Sequence, residues 1–552
     1  MIQVSETEDI DNDDDDDNVS LYSSGSADLP LYNGSSVTVL QSLAGYFAWF
    51  TEFPAVSKSA LSSMLALNKN LMPSPNNLPA SYEEAMKFMK PFLLPLVVYD
   101  VCLNDCIVYR KTERYDYSKL ESCPVCGAKR YSSDRKPVRK FEYYPLIPRW
   151  KRMYGSATIA EVLQSHANST RSHDHMKDVH DSPSWEHAYS DSGFSGGDPR
   201  ALLLQFSSDG VNPFSSNKVS YSMWPIMITN LNLPRHIRSF FGNLMLVSII
   251  PAQCGGSEPK SLDPYLEIVV DELLSLTGIT FYDALKKESF IFKATFLNYV
   301  LDYPGCAKVF NSAGPTALQA CMWCDLRGCY VQLLDKVVFL DNRRFLPENH
   351  DLRHQTVKEF PSGNAELRSP PEKLTNDEII INSLAHSKAK NKTQAANVMK
   401  ATGSKGVNCF MLLPDNDRPN QCYPDVMHNL KNVIVNFFDL IIGRGYNTKD
   451  KDFEVQLGRF RGSFAEKDGA NKQSQGLPFL LSKAELKLAD ERVKKSISMH
   501  ILHHVVAGIK VHGPVHSWWM YVYERFNSWI CQRVKNRRHP EVNVMETYRV
   551  NN

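Results

Sequence analysis

Between residues 200 and 310 the chain alternates short apolar runs with turn-forming residues. Residues 201–206, 221–228, 243–250 and 290–301 are rich in β-branched and aromatic side chains, so each run predicts a strand, although the last also fits a buried helix. Residues 263–276, between the third and fourth runs, space their apolar side chains as a helix does. Elsewhere the pattern is helical: 37–53 and 82–92, then 424–442 with Val426, Leu430, Val433, Phe437 and Leu440 on one face, then 483–511 and 516–535. Residues 1–36 are acidic and rich in Ser and Gly with little to bury, which predicts disorder. Residues 166–198, rich in His, Ser, Asp and Gly, predict a loop, and 340–420, with Pro370-Pro371, predict polar, loop-rich chain. No repeat of fixed period is visible.

Three strands in succession, a helix and a further strand suit an RNase H-like sheet. The expected fold is therefore α/β, with such a core built from 146–324 and 498–552 around a largely helical insertion at 325–497. A helical region at 37–97 and a small four-cysteine module at 98–145 precede it. With 43% of 552 residues hydrophobic, the chain can bury several cores. Its net charge of +1 hides an asymmetry: residues 1–17 carry nine acidic groups and no Lys or Arg, which leaves about +10 on the remainder (+1 plus 9), compatible with a polyanionic partner. No basic-then-apolar leader opens the chain, and the best apolar run, 91–103, is short and contains Asp100, so no membrane partner is expected. Twelve cysteines, with two Cys-x-x-Cys pairs, then read as metal ligands in a reducing compartment.

Two of the apolar runs lead into Asp: Asp209, followed by Gly210, and Asp302. A third acid, Glu524, lies on an aromatic-rich helix with Trp518, Trp519, Tyr521, Tyr523 and Phe526. Carboxylates held on rigid elements can converge on a pair of Mg²⁺ (or Mn²⁺) ions however far apart they lie in sequence, and such a pair supports phosphoryl transfer on nucleic acid. Gly210 would let a cation or phosphate approach the backbone. Taken singly, an Asp-Gly is more often a turn, Asp302 reads as a helix cap, and Glu524 as a solvated helix residue.

Cys321 and Cys324 with His500 and His504 supply two thiolates and two imidazoles for a tetrahedral Zn²⁺, since histidines four apart share one helix face. Such an ion would tie the region after Asp302 to the helix before Glu524. His503 competes at the wrong helical phase, and an inert Cys pair with ordinary surface histidines is the alternative. Cys102, Cys106, Cys123 and Cys126 read as a second zinc site, a small ribbon or knuckle. Lys129, Arg130, Arg135, Lys136, Arg139 and Lys140 follow it beside Phe141, Tyr143 and Tyr144, a mixture that suits a nucleic-acid surface or a solvated basic loop. His166, His173, His175, His180 and His187 are scattered through polar chain and read mainly as loop residues. No nucleophile-elbow motif and no Gly-rich Lys-Ser/Thr phosphate loop is present.

Several blocks together resemble one family. They are Cys102-Leu-Asn-Asp-Cys106, Cys123-Pro-Val-Cys126-Gly127, Tyr144-Pro-Leu-Ile-Pro148-Arg149, Ser208-Asp209-Gly210-Val-Asn-Pro213-Phe214, Tyr221-Ser-Met-Trp224-Pro225, Arg343-Arg344-Phe345-Leu346-Pro347, Asp425-Val-Met-His428 and the stretch from Gly513-Pro514-Val515 to Glu524-Arg525-Phe526. From about residue 98 onward they look like the CACTA (En/Spm, Tnp2-type) DNA transposases, with the V(D)J recombinase catalytic core as a distant relative. The resemblance implies a DDE nuclease and strand transferase that cuts and joins DNA at the terminal inverted repeats of a mobile element, by hydrolysis and then transesterification. Asp209, Asp302 and Glu524 match its catalytic, Mg²⁺-binding acids, with Glu546 a weaker rival for the third. Cys321, Cys324, His500 and His504 match its zinc ligands. It also implies element ends and target DNA as partners, a homo-oligomer on DNA and nuclear location. The chain departs from the pattern where Lys494-Lys495-Ser496-Ile497 runs almost directly into Met499-His500, so the insertion is shortened. The other expectation is therefore a catalytically inactive, transposon-derived DNA-binding or interaction protein.

Overall fold

In the computed structural model, residues 27–53, 55–168, 175–214, 220–331, 336–354, 366–414, 418–442, 497–534 and 537–551 are described. They form two units: Pro95–Val534 with His539–Val542, and Met1–Leu94 with Lys535–Arg538 and Asn543–Asn552.

The larger unit is mixed α/β. It is built on a six-stranded sheet of β1 (Val97–Asp100), β2 (Lys140–Tyr143), β3 (Leu202–Ser208), β4 (Trp224–Asn230), β5 (Leu244–Ile250) and β8 (Ala294–Val300). Their order is β1-β2-β5-β4-β3-β8, and every neighbouring pair is antiparallel except β3 and β8, which run parallel. Between β5 and β8, β6 (Thr280–Asp283) and β7 (Glu288–Ile291) form a hairpin, and β9 (Cys329–Val331) pairs with β10 (Lys336–Val338). All seven residues of each of β3, β4 and β5 are buried, so both faces of the sheet centre are covered and those strands read as continuous apolar text. Alternation sorts the faces. Leu202 and Leu204 pack with Trp150, Tyr154 and the helix Asp263–Leu274, whereas Leu203 packs with Trp185, Leu231 and Leu297 on the other side.

The first three strand-like runs and the 263–276 helix reappear within a few residues of their expected bounds. The fourth run divides. Phe292 N–H donates to Ile279 O at 2.9 Å, closing the hairpin, and Lys293 O accepts from Leu202 N–H at 2.9 Å, opening the sheet. The expected loop at 166–198 holds a helix, Pro183–Tyr189, capped by Ser182 and centred on buried Trp185. His166 and His180 belong to that cluster, with ring centroids 5.1 and 4.3 Å from Trp185; His173 lies outside the described residues. The polar stretch at 340–420 carries the helices Asn376–Ser387 and Lys392–Thr402. Their starts are fixed by the Thr375/Glu378 capping box and by Asn391 accepting from Gln394 N–H, and Gly403 (φ 72°) ends the second. The 424–442 helix is seen as Val426–Ile442. The 483–511 helix is seen from Ile497 to His512; residues 443–496 lie outside the description. The helix expected at 516–535 is Tyr521–Arg533, after a short 3₁₀ turn.

The smaller unit packs the helices Val39–Glu52, Lys58–Leu71 and Tyr82–Met89 around Leu43, Phe47, Leu61, Leu65 and Phe88. Most of the segment expected to be disordered, 1–26, lies outside the described residues, but its last part is structured: Leu31 is buried, and bridges join Pro30 to Thr38 and Tyr32 to Asn76. Glu546 belongs to this unit, with its carboxylate 2.6 Å from Lys58 Nζ and 3.1 Å from the Tyr82 hydroxyl. No helix among the described residues is long and apolar enough to cross a membrane.

Candidate carboxylate and metal sites

β3 and β8 are parallel neighbours, with Ser207 opposite Val300. Two residues further along each strand stand Asp209 and Asp302. The two acids therefore leave the sheet side by side at its C-terminal edge, where adjacent strands lie about 4.8 Å apart. Burial, then the Asp302 and Glu524 carboxylates, push the Asp209 carboxyl up to about 7 against a hydrogen bond from Gly210 N–H. That N–H donates to Asp209 Oδ1 at 2.7 Å. A Cβ on Gly210 would meet Ser222 Oγ at 2.9 Å and the Trp224 ring at 3.2 Å, so no side chain fits beside this acid. Asp302 is also raised, chiefly by burial, and is held back by Gly305 N–H and by His428. It is the N-cap of the helix Tyr303–Val309, with Gly305 N–H donating to Oδ1 at 2.6 Å. Capping and membership of the acidic cluster are thus compatible, because a carboxylate has two oxygens.

Glu524 joins them through His428, a residue the sequence reading left without a role. His428 Nε2 lies 3.5 Å from Glu524 Oε1, and its Nδ1 lies 2.7 Å from Asp425 Oδ2. The Asp425 side chain is wholly buried; it accepts from His428 N–H at 2.9 Å and, through Oδ1, from Met520 N–H at 2.9 Å. That hydrogen bond to Asp425, followed by the Asp425, Asp302 and Glu524 charges, raises the His428 pKa against the effect of burial. An Asp-x-x-His at the start of an apolar helix was the available signal.

The helix Tyr521–Arg533 that carries Glu524 is fastened to the sheet by a buried polar network. The Tyr523 hydroxyl donates to Gln205 Oε1 at 2.7 Å and stands 2.8 Å from Thr229 Oγ1. Gln205 Nε2 in turn donates to Asn298 Oδ1 at 2.8 Å and to Ser517 O at 2.9 Å. Removing one member strands the rest without water. Tyr523→Phe is expected to cost about 1–3 kcal/mol in chemical denaturation; a cost near zero would show the network to be dispensable.

Among the described residues, two groups bring at least three candidate Cys, His, Asp or Glu ligand atoms within 4.8 Å of one another: Cys102, Cys106, Cys123 and Cys126, and Cys321, Cys324, His500 and His504. Each could hold a metal ion such as zinc. The three carboxylates interact electrostatically but do not close to that spacing. In the second group, Cys321 Sγ is 3.3 Å from His504 Nε2 and 3.2 Å from His500 Nε2, and Cys324 Sγ is 3.2 Å from His500 Nε2. The sulfurs are 3.5 Å apart and the two Nε2 atoms 3.1 Å apart. A tetrahedron with the usual Zn–S and Zn–N lengths has edges of about 3.4–3.8 Å, so these donors fit one ion. The Cys321 thiol holds Cys324 well below the usual thiol range, while burial pushes Cys321 up. Neighbouring residues brace the site. Phe345 stacks on His503 at 4.0 Å between centroids, and Arg344 pairs with Asp325, next to Cys324, at 3.0 Å.

The four-cysteine segment is inserted between β1 and β2 at the sheet edge. Its Asp105, in the left-handed region (φ 56°), accepts from Arg139 Nη1 at 2.8 Å and from the Tyr265 hydroxyl at 2.5 Å. Arg110 and Arg114 pair with Glu267 and Asp271 on the helix Asp263–Leu274. Much of the expected basic-aromatic surface is therefore internal. Arg139 serves Asp105, Arg130 pairs with Asp100 at 2.7 Å, and Phe141, Tyr143 and Tyr144 are buried, whereas Lys129, Arg135, Lys136 and Lys140 remain exposed.

Residues 173–385 match the transposase family tnp2. Residues 467–552 match a domain of unknown function, DUF4218. Comparison with curated proteins gives no match. The first segment carries Asp209, Asp302, Cys321 and Cys324; the second carries His500, His504 and Glu524. Together the two matched segments, in an order typical of CACTA (En/Spm)-like transposases, identify the chain as a member of the tnp2 family.

Proposed function

We propose that this transposase-family protein is a DDE nuclease and strand transferase on an RNase H-like core, with Asp209, Asp302 and Glu524 as its catalytic acids. The observation that carries the reading is the parallel β3–β8 pair, which delivers two half-buried acids to one sheet edge with a third coupled to them. The β5-β4-β3-β8 order, two antiparallel pairings followed by one parallel one, supports the core assignment. Bound there, two divalent cations would polarise the scissile phosphate and lower the pKa of the attacking hydroxyl. The chain's own residues prepare the site. Gly210 packs against Ser222 and Trp224, which fill the space expected to admit a cation, and its N–H fixes one Asp209 oxygen; Gly305 N–H fixes one Asp302 oxygen, and Asp425 aims His428 at Glu524. Zinc at Cys321, Cys324, His500 and His504 ties the segment after Asp302 to the helix before Glu524, and zinc at Cys102, Cys106, Cys123 and Cys126 supports a module with only a small core around Ile107 and Tyr109. DNA ends and target are the substrates, a homo-oligomer assembles on them, and the nucleus is the site of action.

Purified protein with Mg²⁺ is expected to nick a duplex carrying the inverted repeats that flank its gene, and to nick a scrambled duplex far less. Binding of those repeats without cleavage in Mg²⁺ or Mn²⁺ would instead favour the non-catalytic DNA-binding reading, which the shortened 325–497 segment motivates.

A linked pH effect follows. Asp209 keeps its proton up to about 7 in the fold, against about 3.9 for an unfolded Asp. A raised carboxyl pKa stabilises the fold below pH 4 and loses that contribution as pH rises through 7. Cations remove the repulsion, so the Mg²⁺-induced rise in melting temperature should grow by several degrees between about pH 5.5 and pH 8. An equal rise at both would argue against cations at Asp209.

A further inference from the structure

Beside the Glu524 helix, on the side served by Tyr523, lies a partly open cleft of about 560 Å³. That is within the range of roughly 300–1,000 Å³ typical of small-ligand sites. Its floor is the Gln205–Thr229–Tyr523 network, whose polar atoms already satisfy one another. The walls and rim therefore select the ligand. Tyr521 is 51% exposed, costly for an aromatic ring that meets only water. Trp519 meets it edge-to-face, with centroids 4.8 Å apart at 70°, and His516 meets Trp519 the same way at 6.3 Å, so none of the three rings is stacked face to face on another. Three arginines line the cleft. Arg238 is neutralised by a two-pronged bond to Asp178 at 2.8 and 2.7 Å and serves as wall. Arg235 and Arg525 are exposed and form no ion pair among the described residues.

Open aromatic faces beside unpaired guanidinium groups match a nucleobase joined to a phosphate. We propose that this cleft is a subsite for one unpaired nucleotide of a DNA strand, its base against Trp519 and Tyr521 and its phosphate between Arg235 and Arg525. In a duplex, base faces are hidden in the stack, so only an extruded or single-stranded nucleotide offers one. Glu524 sits on the same helix, Tyr521–Arg533, and faces His428, so a nucleotide seated here lies against the helix that carries the third acid. The inference rests on the nuclease reading for its substrate but not for its test.

The test uses the full chain carrying Asp209→Asn, without added Mg²⁺, and a short single-stranded oligonucleotide with one 2-aminopurine. The strand is expected to bind with quenched fluorescence, and the matching duplex without quenching. Trp519→Ala should weaken binding about tenfold and abolish quenching; Trp519→Phe should restore most of both. Arg525→Gln should weaken binding several-fold, and it decides the matter alone if Trp519→Ala melts early. Unchanged binding in both variants, or equal quenching in the duplex, overturns the subsite. The two readings separate cleanly: stacking without Mg²⁺-dependent cleavage by the otherwise wild-type protein retains the subsite and removes the nuclease, whereas cleavage without stacking does the reverse.

Discussion

Asp209→Asn is expected to reduce Mg²⁺-dependent DNA cleavage by at least about a thousandfold and, at the same time, to raise the melting temperature of the metal-free protein. Both effects have one cause. Asp209 is half-buried beside Asp302 and within the field of Glu524, and its carboxyl is pushed up to about 7. Burial of the charged carboxylate, then repulsion from Asp302 and Glu524, gives the fold above pH 7 a cost on the order of 2–4 kcal/mol that a neutral amide of the same shape removes. The amide retains an oxygen acceptor for Gly210 N–H, so the local turn survives. It supplies no charge to a cation, so chemistry is lost. An ordinary structural aspartate would behave oppositely, losing stability without a specific loss of cleavage. Thermal melts in the absence of cations and a nicking assay on the same preparation check both halves. A variant that is less stable and proportionally less active would indicate simple misfolding.

The second large effect concerns the Cys₂His₂ set. The chain is expected to carry two zinc ions as purified, and Cys324→Ser to carry one. That loss should destabilise the larger unit by about 4 kcal/mol or more. The size follows from what remains. Cys321 and His500 are buried, and His500 Nδ1 has no hydrogen-bond partner. Without an ion these donors stay desolvated and crowded, with sulfur and ring nitrogen atoms 3.1–3.5 Å apart. The link between the segment at 321–325 and the helix Ile497–His512 would then rest on packing such as Phe345 on His503. Metal analysis with denaturant titration measures both consequences. Two zinc ions retained in the variant, or an unchanged midpoint, would contradict the assignment.

What was legible in the sequence follows from which features are local. Continuous apolar runs revealed β3, β4 and β5 because strands covered on both faces need no polar alternation. The hairpin β6–β7, the edge strand β1 and its neighbour β2 are short and half-exposed, so their pattern merges with the surrounding turns. Asp209 and Asp302 were readable as strand-end acids, and the cysteines and histidines by their spacing. Asp425 and His428 were quoted as a family block yet given no role, because their meaning depends on Met520 and Glu524, about a hundred residues away. The basic stretch after Cys126 was only partly legible for the same reason. Composition does not reveal that Arg130 and Arg139 already have Asp100 and Asp105 as partners.

The acids at the β3–β8 edge and Glu524 are expected to gather around metal. A crystal of the full chain soaked in Mn²⁺, with anomalous scattering recorded, tests this directly. Two peaks about 3.5–4 Å apart, bounded by the carboxylates of Asp209, Asp302 and Glu524, are the expected result. Manganese absent from that edge, or bound there without Glu524, would contradict it.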